Sequence, residues 1–100
     1  MTREKTIKAL SERDGRVYVL LANQKVGDIF LRQAEEEGFT FCDGVKPTKR
    51  PYENIMAVNP DRTINYVGTN GRIAYGSGAK TVNGEELIRV AFDNYAGIKI

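Results

Sequence analysis

INYVGTNGRIAYG, residues 64–76, decides how this chain folds, because it sets Asn70-Gly71 between two apolar runs. An Asn-Gly pair supplies the two positive-φ positions of the tight turn whose twist matches that of paired strands. Read as a hairpin, the segment places Thr69 opposite Arg72 and, counting outward, Tyr66 opposite Tyr75. An aromatic cross-strand pair of this kind contributes roughly 0.2–1 kcal/mol. Immediately upstream, IMAVN at 55–59 reads as a strand running into NPDR, where Pro60 suits the second position of a type I turn. The expectation is an α+β fold in which an antiparallel sheet, with a three-strand meander over about 55–76, packs against one or two helices.

Working toward the N-terminus, FTFC at 39–42 alternates Phe39 and Phe41 against Thr40 and Cys42, the period of a half-buried strand. Before it, QKVGDIFLRQAEEEG carries Val26, Ile29, Phe30 and Ala34 at helical intervals, with Gln33 and Glu35 to Glu37 assigned mostly to the outer side and Gly38 as the stop. Three glutamates at a helix C-terminus oppose the helix dipole at about 0.3 kcal/mol or more each, so a nearby cation is expected. RVYVLLAN at 16–23 is rich in β-branched and aromatic residues and reads as a buried strand. Residues 2–12 place Thr6, Ala9 and Leu10 with Ile7 loosely on one stripe, giving a short helix that Thr2 is suited to cap and that Asp14-Gly15 ends.

The C-terminal stretch supports two readings. Asn83 as N-cap, Glu85 and Glu86 in a first turn, and Leu87, Val90, Ala91 and Tyr95 on one stripe describe a helix over 84–95. Leu87, Arg89 and Ala91 alternating against Ile88, Val90 and Phe92 describe a strand. The density of β-formers in LIRVAF, after an NGEE turn, favours the strand.

One hundred residues with 41% hydrophobic content fit a single domain, 1–100, with one core. MTREKTIKAL lacks the apolar block of a signal peptide, and the longest apolar run, VYVLLA, is six residues against the roughly 20 needed to cross a bilayer. A cytoplasmic location without membrane contact is expected, and the single cysteine, Cys42, agrees with a reducing compartment. Fifteen Lys and Arg against thirteen Asp and Glu leave a net charge of +2, too little to signal nucleic-acid binding by bulk charge.

The absence of histidine excludes most hydrolytic and metal chemistry. Ser-His-Asp and Cys-His pairs, HExxH sites and mixed Cys/His zinc sites all need imidazole, and one thiol cannot replace it. No metal or cofactor is expected, and no catalytic residue is assigned. Cys42 has the cations Lys46, Lys49 and Arg50 nearby in sequence, a setting that can favour a nucleophile, but with no histidine to activate it the expected role is packing. GTNGRIAYGSG at 68–78 has glycines but no Lys-Ser/Thr pair, and a phosphate loop needs them between a strand and a helix rather than around a hairpin. Glu35 to Glu37 with Asp28 offer phosphate mimicry, although charge runs on helices are usually the wet face.

The cationic loop VKPTKRPY is the candidate binding site. Lys46, Lys49 and Arg50 surround two prolines and Tyr52, and prolines reduce the ordering entropy lost on docking to phosphate or an acidic surface. Arg50 is suited to bidentate contacts and Tyr52 to stacking or anchoring.

FLRQAEEEGFTFCDGVKPT followed by IMAVNPDRTINYVGTNGRIAYG resembles a group of short accessory proteins of phages, plasmids and integrative elements of Gram-positive bacteria. The resemblance spans residues 17 to about 95. In that group a helix ending in Glu-Gly leads to an aromatic-x-aromatic-Cys-x-Gly strand, a Lys-Pro loop and a Tyr-bearing hairpin. Some small proteins of that origin are anti-CRISPR proteins or other inhibitors of host defence. The resemblance implies a non-enzymatic inhibitor that binds a host defence protein, a CRISPR nuclease or its guide complex foremost, by surface contacts. A second reading is a small-molecule binding module, such as a cyclic-nucleotide sponge using backbone amides near Gly68, Gly76 and Gly78 with Arg72 or Arg89 on the phosphate. A third is a small nucleic-acid-binding regulator.

Overall fold

The structure is a computed structural model that describes residues 6–99. Among the described residues six strands, β1 (Arg16–Leu20), β2 (Thr40–Phe41), β3 (Ile55–Val58), β4 (Thr63–Tyr66), β5 (Thr81–Val82) and β6 (Glu85–Ala91), form one mixed sheet in the order β2-β4-β3-β1-β6-β5. Strand β1, Arg16–Leu20, runs through its centre, antiparallel to β3, Ile55–Val58, and parallel to β6, Glu85–Ala91. Flanked on both sides and covered on both faces, β1 buries Val17, Tyr18 and Val19 in succession, which explains its unbroken apolar run. Strand β4, Thr63–Tyr66, pairs antiparallel with β3, and β2, Thr40–Phe41, lies parallel to β4 at one edge. Strand β5, Thr81–Val82, closes the other edge against β6. The sheet is mixed rather than purely antiparallel.

Three helices cover one face. Helix α1, Ile7–Ser11, is capped by Thr6, whose Oγ1 accepts from the Ala9 N–H at 3.1 Å; Thr2 lies outside the described residues. Helix α2, Gln24–Glu36, starts at Asn23, whose Oδ1 accepts from the Val26 N–H at 3.0 Å. Helix α4 is the single turn Phe92–Ala96. Ile7, Leu10, Val26, Phe30, Ala34 and Phe92 from these helices meet Val17, Val19, Met56, Ile64 and Val90 of the sheet in the main core, with Phe39 and Phe41 completing it. Phe30 and Phe92 pack edge to face with centroids 5.1 Å apart, the arrangement the ring quadrupoles favour.

The expected meander holds for two strands and fails at the third. Between β3 and β4 the turn is as read: the Arg62 N–H donates to Asn59 O at 3.3 Å across Pro60 and Asp61, with Arg62 at φ 65° before the ladder resumes at Thr63. Residues 68–76 instead form helix α3, Gly68–Gly76, and Asn70-Gly71 lies inside it. Tyr66 accordingly pairs with Met56, not Tyr75, and touches Phe41 on the main-core face. Tyr75 lies on the opposite face with Tyr18, Ala57 and Leu87. Two facts account for the change. The outer edge of β4, which a third strand would need, is occupied by β2. Val67, Gly71, Ala74 and Tyr75 also recur at i, i+4, i+7 and i+8, so a helix lays all four on one stripe, and Val67, Ala74 and Tyr75 pack on the second core while Gly71 is buried.

The tight Asn-Gly hairpin does exist, thirteen residues further on. Asn83 (φ 51°) and Gly84 (φ 81°) join Val82 to Glu85 as its register partner, the positive-φ pair that a two-residue turn requires. The strand reading of the C-terminal stretch holds over Glu85–Ala91, with the alternation read above, whereas the helix capped by Asn83 does not form: Asn83 lies in the hairpin turn and only the separate turn Phe92–Ala96, preceded by Ala91, is helical.

Candidate functional site

The cationic loop is held from four directions. Pro47 is buried at the start of a 3₁₀ turn, Pro47–Lys49. Glu35, near the end of α2, accepts from the Thr48 N–H at 3.2 Å and the Thr48 hydroxyl at 2.7 Å. The Thr48 hydroxyl, with Lys46 and Lys49 nearby, holds the Glu35 carboxyl below its usual value. Arg50 donates to Asp43 Oδ2 at 2.5 Å and lies 4.8 Å from the centre of the Phe41 ring, and that hydrogen bond pulls the Asp43 carboxyl down as well. Tyr52 is half-buried against the main core, its ring seated on Gly27 of α2. Two of the four residues read from the sequence, Arg50 and Tyr52, are thus engaged internally, while Lys46 and Lys49 are exposed on the clamped turn.

The acidic end of α2 is likewise used inside the fold. Glu37 accepts from the Ile7 N–H at 3.0 Å and the Lys8 N–H at 2.8 Å. The cations expected at this helix end are present, Lys46 and Lys49 near Glu35 and Arg62 donating to Glu37 O at 3.4 Å, but the carboxylates themselves accept from the first amides of α1 and of the 3₁₀ turn, which carry the positive end of a peptide dipole. Gln33, assigned to the outer side, is 7% exposed and donates its Nε2 to Glu37 Oε2 at 2.8 Å. Glu36 remains exposed.

The groups invoked for nucleotide binding do not converge. Gly68 opens α3 and Gly76 and Gly78 lie at its other end, roughly 12 Å away at 1.5 Å per residue. Arg72 donates to Glu53 at 3.0 Å. Arg89 donates to the carbonyls of Ala74, Tyr75 and Ala79 at 3.0, 3.1 and 2.7 Å and lies over the Tyr75 ring, so it caps α3. Residues 66–68 do pass from strand to helix, contrary to the expected hairpin, but the segment carries no Lys-Ser/Thr pair.

Sequence reasoning missed a second polar site. A cleft of about 800 Å³ opens on the second sheet face, lined among others by Arg16, Cys42, Asn59, Asp61, Thr63 and Glu85 and by no residue of α3. Its residues come from β1, β3, β4 and β6 and the turns after β2 and β3, and only the strand order brings them together. Alternation was the one available signal: Arg16, Asn59, Thr63 and Asn65 fall on the sheet face that the main core does not use. Cys42 lies on this rim, exposed rather than packed, with its Sγ 3.6 Å from Thr63 Oγ1. Among the described residues no three His, Cys, Asp or Glu side chains gather as a metal site, and no helix is long and apolar enough to cross a membrane.

Comparison with protein-family models, curated proteins and solved structures finds no match.

Proposed function

We propose that the chain is a non-enzymatic inhibitor, carried by mobile elements, that docks on a host defence protein, a CRISPR nuclease or its guide complex, through Lys46 and Lys49. The observation that carries this reading is the clamping of their turn by Glu35, by the Asp43–Arg50 pair and by Tyr52 on Gly27. Two ammonium groups on a turn that is already ordered lose less entropy on binding an acidic surface than the same groups on a free loop. Opposite charge on the partner then speeds encounter and fixes register. Arg50 and Tyr52 contribute by shaping the turn.

The test is a titration of the purified chain into cleavage reactions of candidate nucleases, with and without guide RNA, beside a pull-down of each. Stoichiometric loss of cleavage with a stable complex is the expected result. Cleavage unchanged for every nuclease, with no complex recovered, overturns the reading.

A further inference from the structure

The cleft on the second sheet face presents acceptors whose orientation is fixed from behind. Both hydrogens of Asn59 Nδ2 have acceptors, Thr63 Oγ1 at 3.0 Å and Asn65 Oδ1 at 2.7 Å. Asn65 is fixed in turn by donating its Nδ2 to Tyr66 O at 2.8 Å. With its nitrogen engaged this way, the Asn59 amide keeps its oxygen as the free acceptor. The Thr63 hydroxyl that accepts from Asn59 donates to Asp61 Oδ1 at 2.5 Å. The Asn59 amide and the Asp61 carboxylate therefore meet at one hydroxyl, and both residues line the cleft.

The charges of the cleft define what fits there. Arg16 and Glu85 neutralise each other at 2.9 Å, whereas Asp61 has no ion-pair partner among the described residues. The unmatched charge is negative, which disfavours a phosphate or carboxylate ligand. The lining contains no aromatic ring for a base to stack on. Two neighbouring acceptors, one anionic and one neutral, suit a planar fork of N–H donors. The volume of about 800 Å³ exceeds that of a guanidinium alone and leaves room for its aliphatic stem and flanking atoms.

We propose that this cleft binds a guanidinium group, seated between the Asp61 carboxylate and Asn59 Oδ1, carried either by a small guanidine or by an arginine side chain of a peptide. The site stands apart from Lys46 and Lys49 and does not depend on their role.

The full chain, labelled with ¹⁵N, is titrated with agmatine and, separately, with a capped peptide holding one arginine. Carbamoylputrescine and the citrulline peptide, which replace the cation by a neutral urea, serve as controls. Saturable shifts of the Asn59 side-chain amide and of the Asp61 and Thr63 backbone amides are expected with the guanidines alone. Tighter binding of agmatine assigns a small-molecule source, and tighter binding of the peptide assigns a protein source. Asp61→Asn is expected to weaken binding at least tenfold, its folding being read from the same spectra. Thr63→Ala, which removes the aligning hydroxyl but neither acceptor, is expected to weaken it severalfold, and Glu36→Gln to leave it unchanged. Absence of a saturable shift with both guanidines, equal shifts with the ureas, or unchanged affinity in both Asp61→Asn and Thr63→Ala overturns the proposal.

Discussion

The ring of Tyr52 occupies the space that a side chain at Gly27 would need: a Cβ there would lie 2.3 Å from Tyr52 Cγ and within 2.7 Å of both neighbouring ring carbons. Gly27 is the fourth residue of α2, where alanine would otherwise gain up to about 1 kcal/mol in helix propensity. The clash involves the root of the ring, which cannot swing aside without moving the loop. Gly27→Ala is therefore expected to destabilise the chain by about 1–3 kcal/mol and to displace Tyr52. Urea denaturation measures the first effect and Tyr52 ring resonances the second; a more stable variant with an unmoved ring contradicts this packing.

Glu37 ties the end of α2 to the start of α1. Glu37→Ala removes the acceptor of two backbone amides, and charge-assisted hydrogen bonds of this kind lead to an expected loss of about 1–3 kcal/mol. Glu36→Ala, one residue away and exposed, stays within about 0.5 kcal/mol. Denaturation of the pair, with hydrogen exchange at Ile7 and Lys8, checks the contrast.

The two Asn-Gly pairs give opposite outcomes. Asn70 lies in the first turn of α3 and is exposed, so Asn70→Ala is neutral or stabilising by up to about 0.7 kcal/mol. Gly84 sits at φ 81° in the β5–β6 turn, and Gly84→Ala is expected to destabilise by about 1 kcal/mol or more. The reverse ranking, measured by thermal melting, returns residues 64–76 to a hairpin.

Those two dipeptides mark how far the sequence was legible. The strands at 16–20 and 55–58, helix α2, the Pro60 turn and the alternation in β6 follow from local periodicity and turn chemistry, and each appears close to where it was read. The hairpin rule identifies a dipeptide able to turn, but whether it turns depends on a free sheet edge, and β2 takes that edge from β4. Lys46 and Lys49 were legible as exposed cations in a Pro-rich loop. The internal engagement of Arg50 and Tyr52 was not, because Asp43 and Gly27 give no sign in sequence of what they face. The cleft was illegible for the same reason, since its walls are neighbours only once β1 lies between β3 and β6.

The clamp on the cationic loop should respond to acid alone. Glu35 is held down by hydrogen bonds from Thr48, and Asp43 by the hydrogen bond from Arg50. A carboxylate whose folded pKa is depressed stabilises the fold above its ordinary value and loses that contribution as pH falls through the folded one. The protection factor of the Thr48 N–H is expected to be constant from about pH 7 to about pH 5 and to drop below about pH 4. A loss that begins near neutrality implicates a different group.

The most direct test of binding through a preformed cationic turn is the affinity of Lys46→Glu/Lys49→Glu for the inhibited nuclease, measured by calorimetry beside the wild-type chain. The account predicts binding at least tenfold weaker, a loss of about 1.4 kcal/mol or more, with an unchanged melting temperature. A doubly reversed chain that binds and inhibits as the wild type does would contradict it.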